Sequence, residues 1–328
     1  MMSGVFFALV HSRLPACYPL YMAENESTAT RTRAHAPQLL VLLVLMLLLA
    51  APFALYLAQK RHNVLSLDMA ARFPENQRLT GGEVFATTIA EIMEHELSGG
   101  TGWRPNDFIL WSPRLWADNN ANRQLGILLA ARESMRVFKD HLTKVSSNEY
   151  DANLVLADTA LRNDAFKLWL PSAESKYSQA VQRLRIYVDG LKATPMRSKP
   201  INQRNAELIR LVQAWTDLLG DAHAALYRPD GLWQTDDDFY HAQGVAHVIF
   251  HLVQAVEREY RHGEDTKPII RTLLNEVADA LGQAAVLKPL VVFDGSPSGL
   301  FANHRRNLDA FVNEARQKLY SVREELEK

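Results

Sequence analysis

The sequence predicts an all-α protein: a single N-terminal transmembrane helix followed by a multi-helix bundle of roughly eight helices. Three observations carry this. The stretch Leu39–Ala58 holds no charged residue. From Leu79 onward, apolar residues recur every three or four positions, the period of an amphipathic helix. The 15 glycines and 14 prolines fall mostly at the ends of those stretches, and no series of alternating strands separates them.

Residues 1–36 form a tail. Its first part, "MMSGVFFALVHSRLPACYPLY", is apolar but broken by Arg13, Pro15 and Pro19, so it is too interrupted to span a bilayer. Met22 opens the polar stretch "MAENESTATRTRAHAP", and translation is expected to begin there. Residues 37–58 follow as the transmembrane helix. Twenty uncharged residues make about 30 Å of helix, the thickness of a hydrocarbon core. A cleaved export signal has an apolar core of only about 7–15 residues. Proline directly after the small pair Ala50-Ala51 also disfavours cleavage there. A helix of a soluble core would keep a polar stripe. Pro52 is tolerated in lipid, and Tyr56 suits the interface.

Residues 59–79 read as a juxtamembrane linker, helical around Leu65–Ala71, and residues 80–328 as the α-helical domain. Thr80 and Glu83 stand at capping-box spacing and predict the first strong helix. Its stripe is Val84, Phe85, Ile89, Ile92, Met93 and Leu97, and Ser98-Gly99-Gly100 stops it. "GWRPNDFILWSPRLWADNNANRQLG" follows. Pro105 and Pro113 forbid a continuous helix, and Trp103, Trp111 and Trp116 are expected to fold onto the bundle or to line a ligand pocket. Asp118 caps a helix reaching about Val145, with Leu125, Leu128, Leu129, Met135, Phe138 and Leu142 inward. A second capping box, Ser146 and Glu149, opens a helix to about Leu170, with Leu154, Leu161, Phe166 and Trp169 as contacts. Pro171-Ser172 restarts the pattern through Tyr177, Val181, Leu184, Val188 and Leu191. The basic loop Lys192–Pro200 marks a sub-division near 192–201. Asn202 opens the next helix, carrying Leu208, Leu211, Val212, Trp215 and Leu218, and "RPDG" turns after it. The last helices are expected at Asp237–Arg261, Pro268–Leu287 and Gly299–Glu325, with Val291–Phe293 as the one β-like run.

Three polar clusters carry candidate chemistry. His247 and His251 are four apart and share a helical face, a spacing that suits a divalent metal. Val248 stands where a zinc protease needs glutamate, and no third ligand is evident nearby. Asp236, Asp237 and Asp238 are ordinary residues for a helix start. In "EIMEHEL", Glu91 and His95 share a face, but the spacing differs from that of di-iron bundles, and a solvated helix end is the expectation. "FDGSPSGLFANHRRNL" offers an anion site from Ser296, Ser298, Arg305 and Arg306 at a helix start. It lacks the ending of a P-loop.

Composition narrows the classes. The net charge of −1 supplies no basic field for nucleic acid. Cys17 is the only cysteine, so the domain forms no disulfide and holds no cysteine nucleophile. No G-x-S-x-G elbow and no G-x-G-x-x-G loop occurs. No catalytic residue is assigned and no cofactor is expected, a divalent metal at His247 and His251 being the one exception considered.

The stretches "GWRPNDFILWSPRLWADNNANRQLG", "LRNDAFKLWLPSAESKY" and "FDGSPSGLFANHRRNL" resemble an uncharacterised proteobacterial family of unknown function, whose members have an N-terminal membrane helix and a helical region. The resemblance covers most of the chain after the apolar run and implies membership of the envelope, with no activity attached. Arg31 and Arg33 before the run balance Lys60 and Arg61 after it, so flanking charge does not orient it. A short tail left in the cytoplasm, with the domain in the periplasm, is the preferred arrangement at the inner membrane. The expected function is an envelope scaffold or interaction module rather than an enzyme, with the lipid bilayer and envelope proteins as partners. The alternatives are a metal-dependent hydrolase using His247 and His251, and a ligand-sensing envelope domain.

Overall fold

The computed structural model describes residues 37–48, 50, 54, 57, 61, 63, 67, 69–100, 102–107, 118–144, 149–228, 234–261, 267–289, 291–296 and 300–328. The chain divides into two compact units, Met1–Phe53 and Ala54–Lys328. In the first, residues 37–48 form one helix, α1. Every side chain from Leu39 to Leu48 is a large aliphatic, or Met46, and stands 46–63% exposed. Among the described residues no helix is long and apolar enough to cross a membrane. The twelve residues of α1 reach only about 18 Å, against roughly 30 Å of hydrocarbon. Most of 49–58, the other half of the uncharged run, lies outside the described residues.

The second unit is all-helical among the described residues. A short α2 (Met69–Arg72) precedes eight longer helices: α3 (Glu83–Ser98), α4 (Asp118–Val137), α5 (Ala152–Leu161), α6 (Ala173–Lys192), α7 (Asn205–Tyr227), α8 (Thr235–Tyr260), α9 (Pro268–Val286) and α10 (His304–Glu327). A π-helical turn, Phe138–Leu142, extends α4. The β-like run Val291–Phe293 forms no strand; a single isolated bridge, between Asp294 and Asn303, lies just after it among the described residues.

α8 is the axis. Helices α3, α4, α7 and α9 all lean on it, so it is buried on nearly all sides, His247, His251 and its final turn included. Its closest neighbour is α4. A Cβ on Gly126 would stand 2.1 Å from the carbonyl oxygen of His241, and one on Gly244 would stand 2.1 Å from that of Arg123. Two glycines therefore let these backbones touch, where any side chain would hold them apart.

Several expectations are corrected. Among the described residues the linker helix is Met69–Arg72, and Leu65, Ser66 and Asp68 of the expected stretch lie outside them. The Thr80/Glu83 capping box does not form: Gly82 is the N-cap, left-handed at φ 97°, and no side chain of its own caps α3. The helix expected from Ser146 starts at Ala152, capped by Asp151, whose carboxylate accepts from the amides of Asn153 and Leu154; Ser146 itself lies outside the described residues. That helix ends at Leu161 rather than Leu170. Arg132 draws the carbonyls of Leu161 and Asn163 onto its guanidinium, and Asp164 accepts from the amide of Phe166, so the chain turns away there. Phe166 and Trp169, expected in the core, are exposed. The restart at Ser172 is present, its hydroxyl accepting from Ser175. The stretch 192–201 closes against the bundle, with Ser198 on Gly190 and Ile201 on Gly81.

The bundle has two distinguishable ends. At one meet the start of α4 and the start of α8 (Asn122 to Asp237), the end of α9 and α8 (Leu287 to Gln243), and the end of α7 and start of α10 (Ala225 to Arg305). At the other meet the start of α3 and the end of α8 (Val84 to Glu259), with the starts of α7 and α9 beside them.

Candidate functional site

A groove of about 710 Å³ opens at the second end, lined by residues 75–80 and 200–203 with Arg258 and Glu259. Its walls are loops, which need ties to hold shape. Arg258 supplies three on one side: Nε donates to the carbonyl of Phe73 (2.8 Å), and Nη2 to those of Pro74 (2.6 Å) and Gln77 (3.1 Å). On the other side Tyr260 donates to the carbonyl of Asn202 (3.3 Å), and Gln203 donates to the carbonyl of Glu259 (3.0 Å).

Glu259 sits among these ties, 3% exposed. Its Oε1 accepts from the amides of Val84 (2.6 Å) and Phe85 (3.3 Å). A carboxyl on α8 thus caps α3, satisfying amides that a helix start leaves free. The approach needs the left-handed Gly81-Gly82 turn, because a Cβ on Gly82 would stand 2.7 Å from the Tyr187 hydroxyl. That hydroxyl donates to the carbonyl of Lys199 (2.6 Å), and burial pushes its pKa up. Burial also pushes Glu259 up to about 7, against the pull of the amides it accepts from. Its Oε2 is buried and has no hydrogen-bond partner among the described residues. A carboxyl whose pKa is moved this far by its surroundings, in the wall of a groove, marks a candidate functional site.

The metal candidates are placed elsewhere, inside the α3–α4–α8 junction. His247 and His251 lie 3% and 2% exposed, with ring centroids 4.7 Å apart and edge to face. Burial holds the His247 pKa well below its ordinary value, reinforced by the charges of Arg123, His251 and His95. Burial, with Arg123 and His95, brings His251 down to about 4. Both are therefore neutral at pH 7. His247 Nε2 and both ring nitrogens of His251 have no partner among the described residues, and no group of three or more metal-ligating side chains occurs among them.

Arg123 is engaged by Glu96 at 2.9 Å, a pair 1% and 0% exposed. Gln124 adds a 3.1 Å bond to the same carboxylate. This corrects the solvated reading of "EIMEHEL": Glu96 is fully buried, while Glu91 pairs with Arg72 and Glu94 with Arg185.

Trp103 folds onto the bundle as expected, donating to the carbonyl of Ala165 (3.0 Å) with its ring against Tyr177. Trp111 and Trp116 lie outside the described residues. At the start of α10, Arg305 and Arg306 diverge. Arg305 is buried, donating to the carbonyl of Ala225 (2.6 Å) and lying 3.6 Å from Asp238 and 3.7 Å from Asp294. Arg306 lies over the Tyr227 ring, and its amide is taken by the cap Asn303. Ser296 is exposed, and Ser298 lies outside the described residues.

Sequence reasoning missed Glu259. Its signal was faint: the Gly81-Gly82 pair before a helix lacks a capping side chain of its own, so one must come from elsewhere.

The family described as uncharacterised protein conserved in bacteria, DUF2333, matches residues 29–231 and 221–328. No curated protein and no solved structure matches the chain. With nearly its whole length matched, the chain belongs to the DUF2333 family of bacteria.

Proposed function

We propose that this DUF2333 chain is a single-pass inner-membrane protein whose helical unit acts in the bacterial envelope as a scaffold or interaction module. The observation that supports it best is α1. Ten consecutive large apolar side chains, Leu39–Leu48, are exposed in a helix that offers no polar face. A surface of that kind is stable against hydrocarbon and costly in water. The run continues uncharged to Ala58, which is length enough for a span. The helical unit sits in the periplasm, with the short tail before Leu39 left in the cytoplasm, and its partners are the bilayer and envelope proteins.

The test is a pair of reporter fusions after Lys328. Alkaline phosphatase is expected to be active there and green fluorescent protein dark. The reverse pattern puts the helical unit in the cytoplasm and removes the periplasmic assignment.

A ligand-sensing role is the second reading, favoured by Glu259 titrating near neutrality beside the groove. Muropeptides added to the full chain in detergent should then shift its unfolding temperature, and the shift should disappear in Glu259→Gln. A hydrolytic role for His247 and His251 has no comparable support, since both rings are buried with no third ligand beside them among the described residues.

A further inference from the structure

A buried charge is costly unless it is paired, so each buried cation of the helical unit is expected to face an anion. Four arginines are buried among the described residues: Arg104, Arg123, Arg258 and Arg305. Three of them meet carboxylates. Arg104 pairs with Asp107 and Arg123 with Glu96, and Arg305 lies 3.6 Å from Asp238 and 3.7 Å from Asp294. Arg258 is the exception. It is 5% exposed, and its Nε and Nη2 reach only the carbonyls of Phe73, Pro74 and Gln77. Its Nη1 has no hydrogen-bond partner among the described residues.

The three carbonyls offset only part of the cost. They and the C-terminal end of α8 supply partial negative charge, not a whole one. Arg258 also lines the groove, and the other three buried arginines do not. Its charge therefore stands beside a space of about 710 Å³, room enough for a small solute.

The rest of the lining favours an anion. Arg78 adds a second, exposed positive charge. Glu75 is taken by Arg261. Glu259 accepts from two amides, and a carboxyl raised to about 7 is largely uncharged below that pH, when its hydroxyl is a donor. On Arg258 only Nη1 is left over. One nitrogen suits the end of a carboxylate better than a phosphate, which takes a fork or a cluster of donors. Asn76, Gln77 and Asn202 line the same groove. Their side chains carry both donor and acceptor and so match the amides of a peptide.

We propose that the groove binds a peptide by its terminal carboxylate, with Arg258 Nη1 as the charge partner, Arg78 drawing the anion in, and the amide side chains of the walls meeting the peptide backbone. The inference deepens the ligand-sensing reading and rests on it. It gives Arg258 two roles: three bonds hold the loop of Phe73, Pro74 and Gln77, and the remaining nitrogen takes the anion. Nη1 is itself buried, so a side chain over it must shift as the carboxylate arrives. The pairing then matches that of the other three buried arginines.

The test titrates N-acetyl-trialanine, its C-terminal amide and inorganic phosphate, each separately, into the full chain in detergent, read by isothermal calorimetry. The free acid is expected to bind about tenfold more tightly than the amide, the worth of one charge-assisted hydrogen bond. Phosphate is expected to bind more weakly than the acid. Arg258→Gln should erase the preference for acid over amide. Because Arg258 also ties the loop, Arg78→Gln is measured beside it: binding of the acid should weaken about threefold, and that of the amide should not change. Equal binding of acid and amide overturns the carboxylate site and leaves the groove as a ligand site. So does phosphate bound as tightly as the acid, or a folded Arg258→Gln variant that keeps the preference. Muropeptide binding with no binding of either trialanine does the same. If neither muropeptides nor any of the three titrants binds, the ligand-sensing reading falls, and this proposal with it.

Discussion

α8 and α1 each reverse the usual placement of polar and apolar residues. α8 carries three aspartates, three histidines, Glu257, Arg258 and Glu259, and it is buried on nearly all sides. α1 carries no charge from Leu39 on, and its aliphatic side chains all face outward. The difference lies in what surrounds each helix. The inward polar groups of α8 meet fixed partners or shed their charge: Arg258 finds three carbonyls, Glu259 two amides, and the histidines stay neutral. On α1 the side chains Leu39–Leu48 stand exposed, and in the proposed membrane reading lipid surrounds them. One helix is explained by its neighbours, the other by its solvent.

Four variants and conditions would break or sharpen that contrast. The largest effect is expected from Arg123→Met. It strands Glu96 as a buried charge without a partner, at a cost of about 3–5 kcal/mol, read as a loss of unfolding free energy in denaturant.

Next is the response to pH. Glu259 binds its proton more tightly folded than unfolded, so its stabilisation is complete below about 4.5, its ordinary value, and drains as pH rises through about 7. Over that range the loss amounts to about 3 kcal/mol. Glu259→Gln keeps an acceptor for the Val84 and Phe85 amides and cannot ionise. The variant should therefore gain on the wild type by up to that amount between pH 5 and pH 8. His247 and His251 slope the other way. Their folded pKa values are depressed, so their contribution is present above about 6.5 and is lost as pH falls, for His251 through about 4. An unchanged difference between wild type and Glu259→Gln across pH would show that the carboxyl is not buried as described.

A smaller loss is expected from Gly244→Ala, where the new methyl meets the Arg123 carbonyl and forces α4 and α8 apart, at about 1–3 kcal/mol. The smallest effect belongs to the other side of the contrast. Leu43→Arg, in α1, should leave the unfolding of residues 54–328 within about 0.5 kcal/mol of wild type. A large change there would mean that α1 is held by protein after all.

The helices were largely legible before the structure, and the reason is local. The stripes through Val84–Leu97, Tyr177–Leu191 and Leu208–Leu218 follow from side chains three and four apart, and the helices that carry them are present. What was not legible depends on distance along the chain. The cap of α3 comes from a residue 175 positions away, so a local capping box at Thr80 was a reasonable expectation and a wrong one. The end of α5 is set by Arg132, on another helix, and the apolar Phe166–Leu170 stretch therefore reads as core until its exposure is seen. The shared face of His247 and His251 was evident from spacing. Their burial was not, because the charges along α8 suggest an exposed stripe, and only the crossing at Gly126 and Gly244 brings α4 down over them.

The claim on which the rest depends is that residues 39–58 sit in lipid. Extraction of membranes carrying the full chain with alkaline carbonate tests it most directly, beside a Leu43→Arg, Leu47→Arg variant. The unaltered chain is predicted to stay in the membrane pellet and the variant to enter the supernatant. Release of the unaltered chain into the supernatant would contradict the account.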